Sequence, residues 1–129
     1  MQIEDKIPDP TEYCALRVAS GLSAMSLDAA TLGLPKSLYA VTLRQDGKLI
    51  GMGRVVGDGL HVQVVDITVA PEFQGKGLSR QIMERIMAFI DEKIPKCAVV
   101  SLFADVDWLY QKFGFVKPQK SQGMFYKRV

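Results

Sequence analysis

Two glycines spaced one residue apart carry the clearest chemical signal in this chain. Gly75 and Gly77 stand in Gln74-Gly75-Lys76-Gly77, between a β-branched run, Val65 to Val69, and an apolar-periodic segment from Leu78 to Asp91. The N-terminus of a helix presents backbone N–H groups without helical partners and a partial positive charge. Glycines ahead of it let a phosphate approach the backbone with no Cβ in the way. Strand, glycine loop and helix together predict a site for phosphate or pyrophosphate. Two common nucleotide loops are excluded: GxxxxGK[ST] does not occur, and GxGxxG fails because position 80 is Arg80.

Other reactive residue types are sparse. His61 is the only histidine, and Cys14 and Cys97 lie far apart without CxxC spacing. No metal site is expected from that set. Two cysteines without a pairing pattern fit a reducing, cytoplasmic setting. Cys97 reads as a buried small hydrophobe rather than a nucleophile, since no histidine accompanies it. His61 and Gln63 could order water that carries a proton, although a single strand histidine reads more simply as a surface residue. Lys76 could meet a phosphate or extend into solvent. Trp108 and Tyr39 could line an aromatic pocket or serve as core.

The 129 residues make one ordinary domain, 1–129, and carry a net charge of +2. That balance argues against a nucleic-acid partner, whose binding domains carry a denser basic face. No apolar run approaches the roughly 18 residues a membrane span needs, so no membrane partner is expected. Met1 to Pro10 contains Glu4, Asp5 and Asp9 and no apolar run, unlike a signal peptide.

The elements that must position the loop follow from the pattern. Helices are expected from Pro10 to Gly21 and over Leu27 to Leu32, the second stopped by Gly33 and Pro35. Ser37 to Leu43, Lys48 to Val56 and Leu60 to Val69 read as strands separated by Asp46-Gly47 and Asp58-Gly59, which predicts an antiparallel three-strand meander. In the third strand the apolar phase changes between Val64 and Val65. A β-bulge would restore facing and put Gln63 and Asp66 on one side; a strand buried on both faces is the other reading. After the long helix, Cys97 to Leu102 reads as a strand, Asp105 to Phe113 as a short helix, and Phe115 to Lys117 and Met124 to Lys127 as two last strands. The long helix between strands argues for one parallel pair in an otherwise antiparallel sheet.

Pro71-Glu72-Phe73-Gln74-Gly75-Lys76-Gly77-Leu78-Ser79 resembles the acetyl-CoA loop of the GNAT acetyltransferases. Gln74 and Gly77 match, whereas Ser79 stands where Gly or Ala is usual. Asp66-Ile67-Thr68-Val69-Ala70-Pro71 is similar to the family's central strand, and Leu109-Tyr110-Gln111-Lys112-Phe113-Gly114-Phe115 to its tyrosine segment. An asparagine common ahead of that segment is absent; Phe103-Ala104-Asp105 takes its place.

The resemblance implies an α+β GNAT fold, a mixed and mostly antiparallel sheet flanked by helices with a splayed central strand. It implies an N-acetyltransferase that uses acetyl-CoA as cosubstrate and needs no metal. The coenzyme arm would pair with Ile67, Thr68 and Val69. The pyrophosphate would sit on Gln74, Gly75, Lys76, Gly77, Leu78 and Ser79, with Gln74 shaping the loop. Tyr110 would protonate the departing thiolate, Asp66 would hold or deprotonate the amine, and the Val69 amide would face the developing oxyanion. The partner expected is a small-molecule amine acceptor of polyamine or arylalkylamine type. The alternatives are a protein N-terminus or lysine, or an acyl-CoA-binding module without turnover. Dimerisation is common in the family, and the last two strands offer edges for a homodimer.

Overall fold

A computed structural model describes residues 1–128. The chain opens with β1 (Gln2–Glu4), then α1 (Pro10–Ala19) and α2 (Leu27–Gly33), which runs into a single 3-10 turn, Leu34–Lys36. Strands β2 (Tyr39–Gln45), β3 (Lys48–Gly57) and β4 (His61–Val69) follow. A second 3-10 turn, Pro71–Phe73, leads into the loop before α3 (Leu78–Lys93), and β5 (Val99–Leu102) and α4 (Asp107–Gln111) complete the set. No helix among the described residues is long and apolar enough to cross a membrane.

Local chemistry accounts for most boundaries. Asp9 caps α1 by accepting from the Thr11 and Glu12 amides, with Pro10 at the first helical position. Ser26 caps α2 through the Ala29 amide at 3.1 Å. Between β2 and β3, Gln45 pairs with Lys48 across Asp46 and Gly47, both at positive φ, the backbone that a two-residue hairpin turn needs. In the next turn the Asp58 carboxylate accepts from the Leu60 and His61 amides at 2.8 and 3.0 Å.

The strands form one sheet in the order β1-β2-β3-β4-β5, antiparallel except for the parallel β4–β5 pair. The α3 side chains Ile82, Met83 and Ile86 are fully buried against one face of the sheet. Tyr13 and Leu16 of α1, with Ala30 and Leu34, are buried in the core from the other side.

The phase change in β4 is a bulge. Arg54 pairs with Val65 and Met52 with Thr68, so Gly53 alone faces both Asp66 and Ile67. The extra residue is Asp66, at φ +60°. Directly paired residues share a face, so Val62 and Val64 lie on the α3 side with Gly57 and Val55. Beyond the bulge, Ile67 and Val69 return to that side, and Val65 and Asp66 both turn to the α1 side.

The two last strands and the burial of Cys97 need correction, and one strand was not foreseen. The segments Phe115 to Lys117 and Met124 to Lys127 are not strands; no helix or strand is formed from Phe113 to Arg128. Gly114, Pro118 and the polar stretch between the two segments leave them no ladder partner, and Met124, Phe125 and Tyr126 stay more than four-fifths exposed. Strand β1 carries a single apolar side chain, too short for a period to show, yet it pairs with β2 through Ile3 and Leu43. Cys97 is exposed rather than buried, because it sits in the turn before β5.

Gly53 is the position where the bulge and α3 leave least room. A Cβ there would lie 2.6 to 2.8 Å from side-chain carbons of Ile82, Ile67 and Ile86. Gly53→Ala is expected to lower stability by about 1–3 kcal/mol, seen as a lower urea midpoint at unchanged slope.

Candidate active site

The site begins where the β4–β5 ladder stops. Pairing runs from His61–Val99 to Val64–Leu102 and ends there, while β4 continues to Val69. The Ala70 amide donates to the Ile50 carbonyl at 2.7 Å. Backbone groups alternate in direction along an antiparallel strand. Val69, opposite Gly51, therefore turns its N–H and C=O away from β3, toward the side β5 has vacated. Ile67 shares that phase. Thr68 lies between them, buried and directed at β3.

The glycine loop closes this open edge. Gln74 folds back and its Nε2 donates to the Val69 carbonyl at 3.0 Å, which ties the loop to the strand end. Gly75 and Gly77 take φ of +78° and +76°, left-handed backbone that a Cβ would strain. Gly77 caps α3 with no side-chain hydrogen bond. Among the described residues, the Leu78 and Ser79 amides donate to no protein group, which leaves a cluster of N–H donors at a sixteen-residue helix's positive end. The loop itself is exposed, and Lys76 lies over the Phe73 ring at 5.3 Å to its centroid.

Asp66 occupies a different setting from the one its strand position suggests. Its Oδ1 accepts from Arg17 Nη1 at 2.6 Å, and its Oδ2 accepts from Arg54 Nε at 2.8 Å and from the Tyr13 hydroxyl at 2.6 Å. The three charged side chains are between 7% and 14% exposed, so the cluster is nearly dry. Arg17 is held further by the Ser23 carbonyl and hydroxyl at 2.8 and 2.9 Å, and Arg54 Nη1 by the Ser37 hydroxyl at 2.9 Å. Burial, then the bond to the Asp66 carboxylate and its charge, pushes the Tyr13 phenol up, so it stays a donor. Both Asp66 oxygens are already occupied.

Tyr110 lies on α4, half-buried. Its carbonyl accepts from the Phe113 and Phe115 amides in the turn that follows the helix end at Gln111. Its hydroxyl bonds to no protein group among the described residues. Burial, and then the Asp105 carboxylate, pushes its pKa above the ordinary 10.0 of tyrosine.

Other candidates lie elsewhere. His61 is exposed at the far end of β4. Tyr39 stacks on Phe89 at 4.6 Å and donates to Asp5, so it belongs to the α3 side and not to a pocket. Trp108 is mostly exposed, with Lys112 over its ring. The residues that sequence reasoning missed are Arg17, Arg54 and Tyr13. Arg17, one turn after Tyr13 on the apolar stripe of α1, was the available signal, because a buried arginine requires an acidic partner.

The acetyltransferase (GNAT) domain family model matches residues 36–117. GCN5-related N-acetyltransferase 2, chloroplastic, of Arabidopsis thaliana is 38% identical over 64% of this chain and 33% of its own length. Serotonin N-acetyltransferase 2, chloroplastic, of rice (Oryza sativa subsp. japonica) is 35% identical over 64% of this chain and 42% of its own. The chain thus spans less than half the length of these relatives. A crystal structure of a Staphylococcus aureus protein of unknown function, described as a probable acetyltransferase, is 44% identical, covers 98% of both chains and superposes with a TM-score of 0.92.

The Asp66 cluster gives a direct stability test. Asp66→Asn would leave two buried guanidinium groups without their counter-charge, and the expected loss is about 3–5 kcal/mol. Reversible urea unfolding measures it; a loss below about 1 kcal/mol, the range of an exposed pair, would show that the cluster does not hold the strand.

Proposed function

Because the chain belongs to the GNAT acetyltransferase family, we propose that it transfers the acetyl group of acetyl-CoA to a primary amine by direct attack within a ternary complex. The observation that carries this reading is the open edge of β4 ending in a loop of unpartnered amides. The residues present fit the coenzyme. Ile67 and Val69 offer outward backbone groups for an extended amide arm, and the amides after Gly75 and Gly77 offer donors for its pyrophosphate. Ser79 is half-buried and small enough for close backbone approach.

Acetyl-CoA supplies an activated thioester when bound. The Val69 N–H faces the vacated side of the strand, so it is placed to donate to negative charge that develops on the acetyl oxygen. The amine nitrogen bonds to the acetyl carbon, the carbon–sulfur bond breaks, and Tyr110 gives its proton to the leaving sulfur. The proton lost by the amine returns to the Tyr110 oxygen through water. A pKa raised by burial keeps Tyr110 protonated at neutral pH, the state an acid needs. Asp66, with both oxygens engaged, acts in this reading by positioning the strand and not by accepting the amine's proton.

The acceptor is a small-molecule amine in this reading. Relatives named for serotonin and for histone acetylation both align with this chain, which supports a shared acetyl-transfer chemistry with differing acceptors.

Thiol release from acetyl-CoA over an amine panel tests the proposal. Tyr110→Phe is expected to lower kcat by about 10²–10⁴-fold while acetyl-CoA still raises the thermal midpoint. Any alkaline fall in wild-type kcat that arises from Tyr110 should lie above pH 10.0. Coenzyme binding with no amine ever acetylated would leave an acyl-CoA-binding module in place of the enzyme.

A further inference from the structure

A cleft of about 410 Å³ lies between α1, α2 and β3, on the same face of the sheet as the Asp66 cluster. Its size suits a small ligand. Tyr13, Ala30, Leu34, Val56, Lys36 and Arg54 are among its lining residues; two of the lining side chains are cationic and none is a carboxylate. Asp28 and Asp58 stand on neighbouring segments but do not line it, and one Asp58 oxygen, Oδ1, accepts from both the Leu60 and His61 amides.

The charge balance beneath the cleft has the same sign. Asp66 meets two guanidinium groups, Arg17 and Arg54, so the buried cluster keeps one uncompensated positive charge. Lys36 adds another at the rim. Arg54 is also pre-positioned: Nε is fixed by Asp66 and Nη1 by Ser37, while Nη2 donates to no protein group among the described residues. A guanidinium held on two of its three nitrogens binds an anion with little further loss of freedom.

We infer that this cleft takes the anionic end of the acceptor, so that the substrate is a small amine that also bears a carboxylate or a phosphate. The inference rests on the acetyltransferase reading and names its substrate class. Arg54 and Lys36 bind the anion through charge-assisted hydrogen bonds. The link to the chemistry is mechanical. Tyr13 and Arg54, both in the cleft wall, grip Asp66, and Asp66 directly precedes Ile67 on the open edge of β4. An anion anchored at Arg54 is therefore joined through one carboxylate to the strand along which the thioester arm would lie. A polyamine finds no free carboxylate in the cleft and meets like charge there.

Matched amines read this directly: glucosamine 6-phosphate against glucosamine, lysine against cadaverine, with spermidine as a further arm. The phosphate or carboxylate member of a pair should have the higher kcat/KM by about tenfold or more, and the pair that shows it distinguishes the two anions. Lys36→Glu, with its unliganded thermal midpoint as the check on folding, should raise KM for that member and shrink the preference. A second arm needs no turnover. Inorganic phosphate should raise the thermal midpoint of wild type above a chloride control of equal ionic strength, and should do so less for Lys36→Glu. Preference for the member without the anion or for spermidine, or a preference and a phosphate effect both unchanged in Lys36→Glu, overturns the inference while leaving acetyl transfer standing. If no amine is acetylated, the acetyltransferase reading fails, and the phosphate arm alone decides whether the cleft binds anions.

Discussion

Asp66 sits in left-handed backbone, at φ +60°, in the middle of the sheet's second-last strand. For a residue with a Cβ that conformation costs on the order of 1–3 kcal/mol and persists only where the surroundings enforce it. Here they do. Two guanidinium groups and a phenol reach the same carboxylate from α1 and β3, and each donor is itself anchored by the chain around it. The bulge that results lets β4 satisfy two demands at once. Val62, Val64, Ile67 and Val69 all meet α3, while the strand beyond Asp66 keeps its antiparallel pairing with β3 after β5 has ended its own. Without the extra residue, either the core contacts or the outward backbone phase would be lost.

The two ends of the candidate site are built from different materials. In the proposed reading the coenzyme end is nearly all backbone: outward groups on Ile67 and Val69, two left-handed glycines, and the free amides of a long helix. Such a site depends on where glycine is allowed and where a helix begins, so few residue identities specify it. The opposite end is lined from α1, α2 and β3 by aromatic, aliphatic and cationic side chains. A fold arranged this way can keep one cosubstrate while its acceptor changes, consistent with the variety of acceptors named among relatives of this chain.

The same division governs what could be read from the sequence. Local signals were legible: the Asp46-Gly47 turn, the Pro10 helix start, the glycine loop and the apolar stripe of α3 each depend on a few neighbouring residues. The disturbance of β4 was visible as a change of phase between Val64 and Val65, because period 2 makes one extra residue show at once; that the extra residue is Asp66 was not, since its conformation is set by Arg17 and Arg54, 49 and 12 positions away. Asp66 itself drew notice as an acid on the central strand, but a lone carboxylate in a sequence does not reveal its counter-charges. The last two expected strands failed for the converse reason. Residues around Phe115 and Met124 have strand-like composition, yet a strand exists only with a ladder partner, and none is formed here.

A buried ion cluster is an expensive way to fix a bend. Desolvating two arginines and a carboxylate costs several kcal/mol per ion, and the attraction recovered often does no more than offset it. Apolar residues could stabilise the α1–sheet contact at least as well. They could not, however, hold a strand residue in left-handed backbone, because packing is non-directional and three hydrogen bonds to one carboxylate are not. The arrangement also leaves an excess positive charge and a half-used guanidinium facing a cleft. That residue of charge is a consequence of using two arginines where one would balance the carboxylate. The second arginine makes sense physically if its free edge has a negative group to meet.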